Sequence, residues 1–105
     1  MNKNSETPLS VAAASGQSDL VQYLISMRVA LNHRREDNCT PLFLAAMNGH
    51  AEVVKILLKA KADALISRED GATPVWIAAS NGNVEVLKHM AKSLNKQKLR
   101  YLKEY

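Results

Sequence analysis

A Thr-Pro dipeptide recurs along this chain of 105 residues with a constant step of 33 residues, beginning at Thr7, Thr40 and Thr73. An Ala-Ala pair, a glycine and two apolar pairs keep the same step in all three copies. Agreement at so many positions indicates an internal repeat, which is typical of proteins that stack similar units side by side. The recurring residues are Ala12-Ala13, Ala45-Ala46 and Ala78-Ala79; Gly16, Gly49 and Gly82; Leu20-Val21, Val53-Val54 and Val86-Leu87; and Leu24-Ile25, Leu57-Leu58 and Met90-Ala91.

Each copy predicts two short helices joined by a tight turn. Thr is a favoured N-cap, and Pro suits the first helical position because its missing N–H would have no partner there. In the second copy we expect a helix over 41–48, a stop at Gly49 and a second helix over 51–60 with an apolar stripe. Helices this short are marginal alone and persist only by packing on a neighbour. Turn-forming residues precede each Thr-Pro: Asn4-Ser5, Asp37-Asn38 and Asp70-Gly71.

Charge and cysteine content limit the functions open to the chain. Residues 1–91 hold nine basic and nine acidic side chains, whereas residues 92–105 hold five basic residues and one acidic residue, so the net charge of +4 lies in the tail. The single cysteine, Cys39, excludes an internal disulfide and fits a reducing compartment. No signal peptide or apolar run of about 18 residues is seen. A cytoplasmic location is expected, with the nucleus or a host cell also open.

The sequence lacks the motifs of common catalytic and cofactor sites. It has no Gly-rich phosphate loop, no Gly-x-Ser-x-Gly, no His-Glu-x-x-His and no Cys-x-x-Cys. The three histidines, His33, His50 and His89, are scattered, and Cys39 would need a nearby base to act as a nucleophile. We therefore expect no enzymatic activity, no cofactor and no metal site.

Two segments carry a resemblance to a known family: the Thr-Pro-Leu-Phe-Leu-Ala-Ala-Met-Asn-Gly-His-Ala-Glu-Val-Val-Lys of 40–55 and the Asp-Gly-Ala-Thr-Pro-Val-Trp-Ile-Ala-Ala of 70–79. With the weaker first copy, the chain resembles the ankyrin repeat family over about 90 residues. The resemblance implies an all-α solenoid of three helix-turn-helix repeats with β-hairpin-like loops, in a single domain of 1–105. The expected boundaries are about 4–36, 37–69 and 70–94 for the repeats, and about 95–105 for a C-terminal capping helix.

Three departures from the family pattern carry predictions. The position where the family usually has His after Thr-Pro-Leu holds Ser10, Phe43 and Trp76, and we expect the two aromatic rings to stack between repeats. The Gly that usually ends the second helix is replaced by a non-Gly residue, which is strained in the left-handed conformation. Beyond the third repeat, apolar and basic residues predict a continued or additional helix that covers the open end. The residues that replace the Gly are Arg28, Lys61 and Leu94.

The resemblance implies that a protein partner binds the hairpin tips and the exposed side of the first helices. The two Arg-Glu-Asp triplets, 35–37 and 68–70, are candidate anchors, since Arg recognises carboxylates. The alternative is that Arg and Glu pair with their own neighbours across the hairpins. Met47 is the apolar contact candidate, whereas packing is favoured for Trp76. The predicted partner-binding residues are Arg34, Arg35, Glu36, Asp37, Cys39, Met47, Asn48, Ser67, Arg68, Glu69, Ala72, Ser80 and Asn81.

The predicted function is therefore that of a protein–protein interaction module or scaffold that binds no small-molecule substrate. Two alternatives remain open. The chain could be the interaction fragment of a larger enzyme, adaptor or delivered effector, or its basic residues 92–105 could bind nucleic acid or acidic membrane electrostatically, although neither of those partners is favoured. Open terminal repeats also predict weak self-association.

Overall fold

The computed structural model describes the backbone of residues 6–104 and the side chains of residues 6–94. Its described residues form helices and connecting turns, with no strand, as expected for an all-α solenoid. The Asn4-Ser5 turn lies outside the described residues. The helices are α1 (Pro8–Ala14), α2 (Ser18–Ser26), α3 (Pro41–Met47), α4 (Ala51–Lys59), α5 (Pro74–Ser80) and α6 (Val84–Glu104).

The predicted caps begin each first helix. The hydroxyl of Thr40 accepts a hydrogen bond from the backbone N–H of Phe43 at 3.2 Å, and Pro41 occupies the first turn of α3. Thr7 and Thr73 make the same bond at the start of α1 and α5. Each cap gives a partner to one of the backbone donors left open at a helix start. The Thr-Pro signal is therefore confirmed as a helix start in all three repeats.

The predicted left-handed conformation of a non-Gly residue at the end of the second helix is confirmed in two repeats out of three. Arg28 and Lys61 have φ of 61° and 76°, in the left-handed region that favours glycine. The expected third case is wrong, because α6 does not end at Leu94 but continues to Glu104. A residue inside a helix keeps a negative φ, so no left-handed turn is required there.

Lys61→Gly is expected to raise the free energy of unfolding by up to about 1 kcal/mol. Glycine adopts a positive φ without the clash that a Cβ atom causes, and the Lys61 side chain is exposed, so little contact is lost. Urea unfolding followed by circular dichroism measures the change. A midpoint that stays the same or falls would contradict the proposed strain.

The helices form two layers that advance by one repeat at a time. Helix α1 packs on α3 and α3 on α5, while α2 packs on α4 and α4 on α6. The core lies between the layers and between the repeats, and the middle repeat is the most completely buried because it has a neighbour on each side. Every residue from Pro41 to Ala46 in α3 is buried.

The expected stacking of Phe43 on Trp76 is wrong. Phe43 is fully buried, and the guanidinium carbon of Arg68 lies 5.0 Å from its ring centroid, which is a cation–π contact. Trp76 is 56% exposed, so the packing role favoured for it is also wrong. The hairpin that precedes α5 supplies Arg68 to cover Phe43, whereas in the third repeat α6 runs through the described backbone to Glu104 without forming such a hairpin.

The chain beyond Leu94 prolongs α6 as one helix, the continued form of the two predicted arrangements. It leaves Trp76 exposed, so the C-terminal extension does not cover that part of the open end. The side chains of 95–104 lie outside what the structure describes. The electrostatic binding alternative, which depends on them, therefore stays a prediction.

Candidate functional site

The loop between α2 and α3 is a compact hairpin-like turn. The backbone N–H of Arg35 donates to the carbonyl of Cys39 at 3.0 Å, and that of Asn38 donates to the carbonyl of Arg35 at 2.8 Å. Asn38 has a φ of 68°, which Asn tolerates better than most residues because its side chain hydrogen-bonds locally. The predicted turn chemistry of this segment is confirmed.

The loop between α4 and α5 repeats this construction one step later. The backbone N–H of Arg68 donates to the carbonyl of Ala72, and that of Gly71 donates to the carbonyl of Arg68, both at 2.8 Å. The two loops are also joined, because the backbone N–H of Glu69 donates to the carbonyl of Asp37 at 3.0 Å. The hairpin tips therefore form one continuous, hydrogen-bonded edge.

Each Arg-Glu-Asp triplet contains an internal ion pair. The guanidinium of Arg35 donates to both carboxylate oxygens of Asp37, at 3.2 and 2.6 Å, and to Glu6 at 3.1 Å. Asp37 also accepts the backbone N–H of Cys39 at 3.0 Å. Such bidentate pairs fix geometry as well as adding energy. The arginine thus holds the loop that carries it, which supports internal pairing of the arginine over the partner-anchor interpretation, although its partner within the triplet is the Asp and not the Glu.

The second triplet repeats this internal pairing. Arg68 donates to both carboxylate oxygens of Asp70, at 3.1 and 2.7 Å, and Asp70 accepts the backbone N–H of Ala72 at 3.1 Å. The hydrogen bonds from Arg68 and Ala72 lower the pKa of Asp70 to about 2. In both triplets the positive charge of the arginine is largely satisfied inside the protein.

Asp37→Asn is expected to lower the free energy of unfolding at neutral pH. The variant should then lose less of this free energy than wild type when the pH is lowered. Its hydrogen bonds with Arg35 hold the pKa of the Asp37 carboxyl well below its usual range. A depressed folded-state pKa contributes stability above the unfolded value of about 3.9, and this stability is lost as the pH falls below it. The gap between wild type and variant should therefore shrink from about pH 5 to about pH 2.

Urea midpoints measured across this pH range test the prediction. Asp63→Asn is the control, because the Asp63 carboxylate has no arginine partner among the described residues. A gap between wild type and Asp37→Asn that stays constant with pH would contradict the ion-pair interpretation.

The predicted partner-binding residues divide into three groups by exposure. Cys39 and Ala72 are buried, so placing them on the partner-facing surface was wrong; each follows the bend of its hairpin and points into the core. Burial raises the pKa of the Cys39 thiol to about 11. Arg35, Asp37, Met47, Ser67 and Arg68 are half-buried. The exposed residues are Arg34, Glu36, Asn48, Glu69, Ser80 and Asn81.

Two of these exposed residues already have a role inside the stack. The side-chain amide of Asn48 donates to the carbonyl of Ala14 at 2.9 Å, and that of Asn81 donates to the carbonyl of Met47 at 3.0 Å. Each bond joins the end of one first helix to the end of the preceding one. One amide N–H of each side chain is therefore engaged by the preceding repeat.

A further pair of side chains at the repeat junctions was not among the predicted site residues. His50 Nε2 donates to the carbonyl of Ala14 at 3.0 Å, and Asn83 Nδ2 donates to the carbonyl of Ala46 at 3.3 Å. They occupy equivalent positions one repeat apart. Their 33-residue spacing, together with their place directly after Gly49 and Gly82, is the signal that could have identified them.

The side chains that remain available define the hairpin-tip surface: Arg34, Glu36 and Glu69. All three are exposed, and within the described residues neither glutamate has an ion pair or a side-chain hydrogen bond. Glu36 and Glu69 are one repeat apart and sit on rigid, adjoining loops. Ser80 and the half-buried Met47 are the last residues of α5 and α3, at the helix ends opposite the hairpins, so they are not part of this surface.

The described residues contain no group of three His, Cys, Asp or Glu side chains that could hold a metal ion. None of the described helices combines the length and the apolar character that crossing a bilayer needs.

The comparison with protein families agrees with the repeat architecture. Residues 1–67, more than half of the chain, match the family model described as ankyrin repeats in three copies. No curated protein matches the chain. Together with the 33-residue step, the Thr-Pro caps and the six helices of the described residues, this match shows that the chain belongs to the ankyrin repeat family.

Proposed function

We propose that this chain binds a protein partner through the hairpin-tip surface, and that the partner presents basic side chains to Glu36 and Glu69. Ankyrin repeats are generally protein–protein interaction modules. The observation that carries the proposal is the contrast within each triplet: Arg and Asp are paired internally, whereas the Glu between them is exposed and unpaired in the described structure.

The rigidity of the loops supports binding at these glutamates. Both hairpins are closed by backbone bonds, held by bidentate ion pairs and joined to each other through the Glu69 N–H. A surface that is ordered before binding loses less conformational entropy when the partner arrives. Two carboxylates carried about 10 Å apart, the usual spacing of packed helices, offer a repeated contact to a basic partner.

The double substitution Glu36→Lys/Glu69→Lys is expected to weaken partner binding strongly while the fold is retained. Affinity purification from the native cell with the wild-type chain identifies candidate partners, and calorimetry with each purified partner then measures affinity. We expect at least a tenfold weakening, with a smaller salt dependence than wild type, because complementary charge is lost.

The matched control is Asp19→Lys/Glu52→Lys. It makes the same change in net charge at two exposed residues in the first turns of α2 and α4, away from the hairpins. A partner that binds wild type and the control but not the hairpin variant supports the proposal. Equal binding to all three chains would refute the surface assignment.

A further inference from the structure

The outer side of the first repeat exposes apolar residues that the other repeats bury. Leu20 is 40% exposed, whereas its equivalents Val53 and Val86 are 0% and 1% exposed. Val11 is likewise exposed, whereas Leu44 at the same position is buried. The second and third repeats bury these positions against the repeat before them. Leu20 and Val11 define the N-terminal face of the stack.

The opposite end of the stack exposes residues whose equivalents in the earlier repeats face the following repeat. Trp76 is 56% exposed, although its equivalent Phe43 is completely buried against the following repeat. A Cβ atom added to Gly82 would meet nothing within 4 Å, whereas one added to Gly16 would lie 2.6 Å from the His50 ring. The space beside Gly16 is thus filled by the second repeat, whereas the equivalent space beside Gly82 is open. Trp76 and Gly82 define the C-terminal face.

The N-terminal face also carries an unused polar group in the right position. Gln17 is equivalent to His50 and Asn83, whose side chains donate to backbone carbonyls of the preceding repeat. The Gln17 side chain is exposed and has no hydrogen-bond partner among the described residues. Its amide can donate the same kind of bond to a repeat placed against this face.

We propose that a second copy of this chain docks head to tail, with the N-terminal face of one molecule against the C-terminal face of the other. The two faces are the halves of a junction that the chain already makes twice internally, with apolar residues and a polar donor at equivalent positions. Residues 1–91, which carry both faces, sum to zero net charge, and the +4 of each copy lies in residues 92–105. This contact does not use the hairpin-tip surface and goes beyond the proposed function.

Head-to-tail contact is heterologous, so each molecule retains one open face and short linear assemblies follow. The geometry predicts a specific complementation between two variants. Leu20→Glu disables the N-terminal face, and Trp76→Glu disables the C-terminal face. Each alone should be monomeric, but an equimolar mixture should form a one-to-one dimer through the two intact faces.

Both substitutions are compatible with the fold. Each residue is the third of its helix, where a glutamate interacts favourably with the helix dipole, and at Trp76 it can complete a capping box with Thr73. Circular dichroism of each variant verifies that the helices are retained. Leu65→Glu is the control: Leu65 is 67% exposed, and the equivalent Asn32 in the first repeat is exposed as well.

Sedimentation velocity and tryptophan fluorescence provide the readouts. Wild type and Leu65→Glu should increase in average mass with concentration, and each single-face variant should not. Trp76 is the sole tryptophan, so in the mixture only the Leu20→Glu chain emits, and its emission should shift to shorter wavelength as the Trp76→Glu chain is added. A monomeric wild type at several hundred micromolar, or a Trp76→Glu chain that dimerises alone through symmetric N-terminal faces, would overturn the proposal.

Discussion

Phe43→Ala will lower the free energy of unfolding by about 3–5 kcal/mol, the cost typical of truncating a buried phenylalanine. The Phe43 side chain is completely buried, and both the following repeat and the Arg68 guanidinium cover it. Truncation removes apolar contacts on all sides and leaves a cavity that a short, capped helix cannot collapse to fill. Because small domains have a total stability of about 5–15 kcal/mol, this single change should unfold a measurable fraction of the protein.

Trp76→Ala is the matched control for this prediction. It occupies the same position one repeat later but is more than half exposed, so its truncation should cost about 1 kcal/mol or less. Urea unfolding of the two variants, followed by circular dichroism, measures the difference. Similar losses in both variants would mean that the third repeat buries its aromatic side chain in solution, and that the C-terminal face is not open.

Gly16→Ala has the second-largest expected effect, a loss of about 2–3 kcal/mol. The residue has a φ of 72°, which costs a non-glycine residue about 1–2 kcal/mol. The added Cβ would also lie 2.6 Å from Nδ1 of His50, whose Nε2 donates to the Ala14 carbonyl. Displacing the ring breaks that bond, which is worth about 1 kcal/mol.

Gly82→Ala separates the two contributions. Gly82 has a φ of 68°, so alanine there should have nearly the same conformational cost and the same effect on the unfolded chain as at Gly16. Apart from its chain neighbours, no atom of the described residues lies within 4 Å of the added Cβ. The excess loss in Gly16→Ala over Gly82→Ala therefore measures the contact with His50. In a His50→Ala background this excess should vanish, and its persistence would contradict the assigned role of the histidine.

Local features of the fold were predicted well because nearby residues decide them. Thr40 and Pro41 specify a helix start through bonds within one turn, and Asp37-Asn38 specifies a turn through local hydrogen bonds and a tolerated positive φ. The continuation of α6 past Leu94 was one of two arrangements that the sequence left open. No Asp-Gly or Asn-Gly turn follows Leu94, which favours a helix there but does not distinguish a continued helix from a separate one.

The surface was predicted less well, since exposure depends on residues far away in the sequence. Arg35 and Arg68 were candidate anchors, but each is held by the Asp two residues later, and Arg68 also covers the ring of Phe43, 25 residues earlier in the chain. Cys39 was placed on the hairpin surface, yet it is buried in the core. Only Glu36 and Glu69 of the triplets are left exposed and unpaired in the described structure.

The sequence by itself determined the repeating unit, its step, its caps and the family, because each depends on interactions that close within one 33-residue segment. Tertiary structure alone decided which of three equivalent side chains is covered. Ser10 and Phe43 are buried by a following repeat, and Trp76 is exposed because none follows it in the structure. Residues at equivalent positions thus differ in environment because a stack has two ends, and a repeated motif does not encode which copy lies at an end.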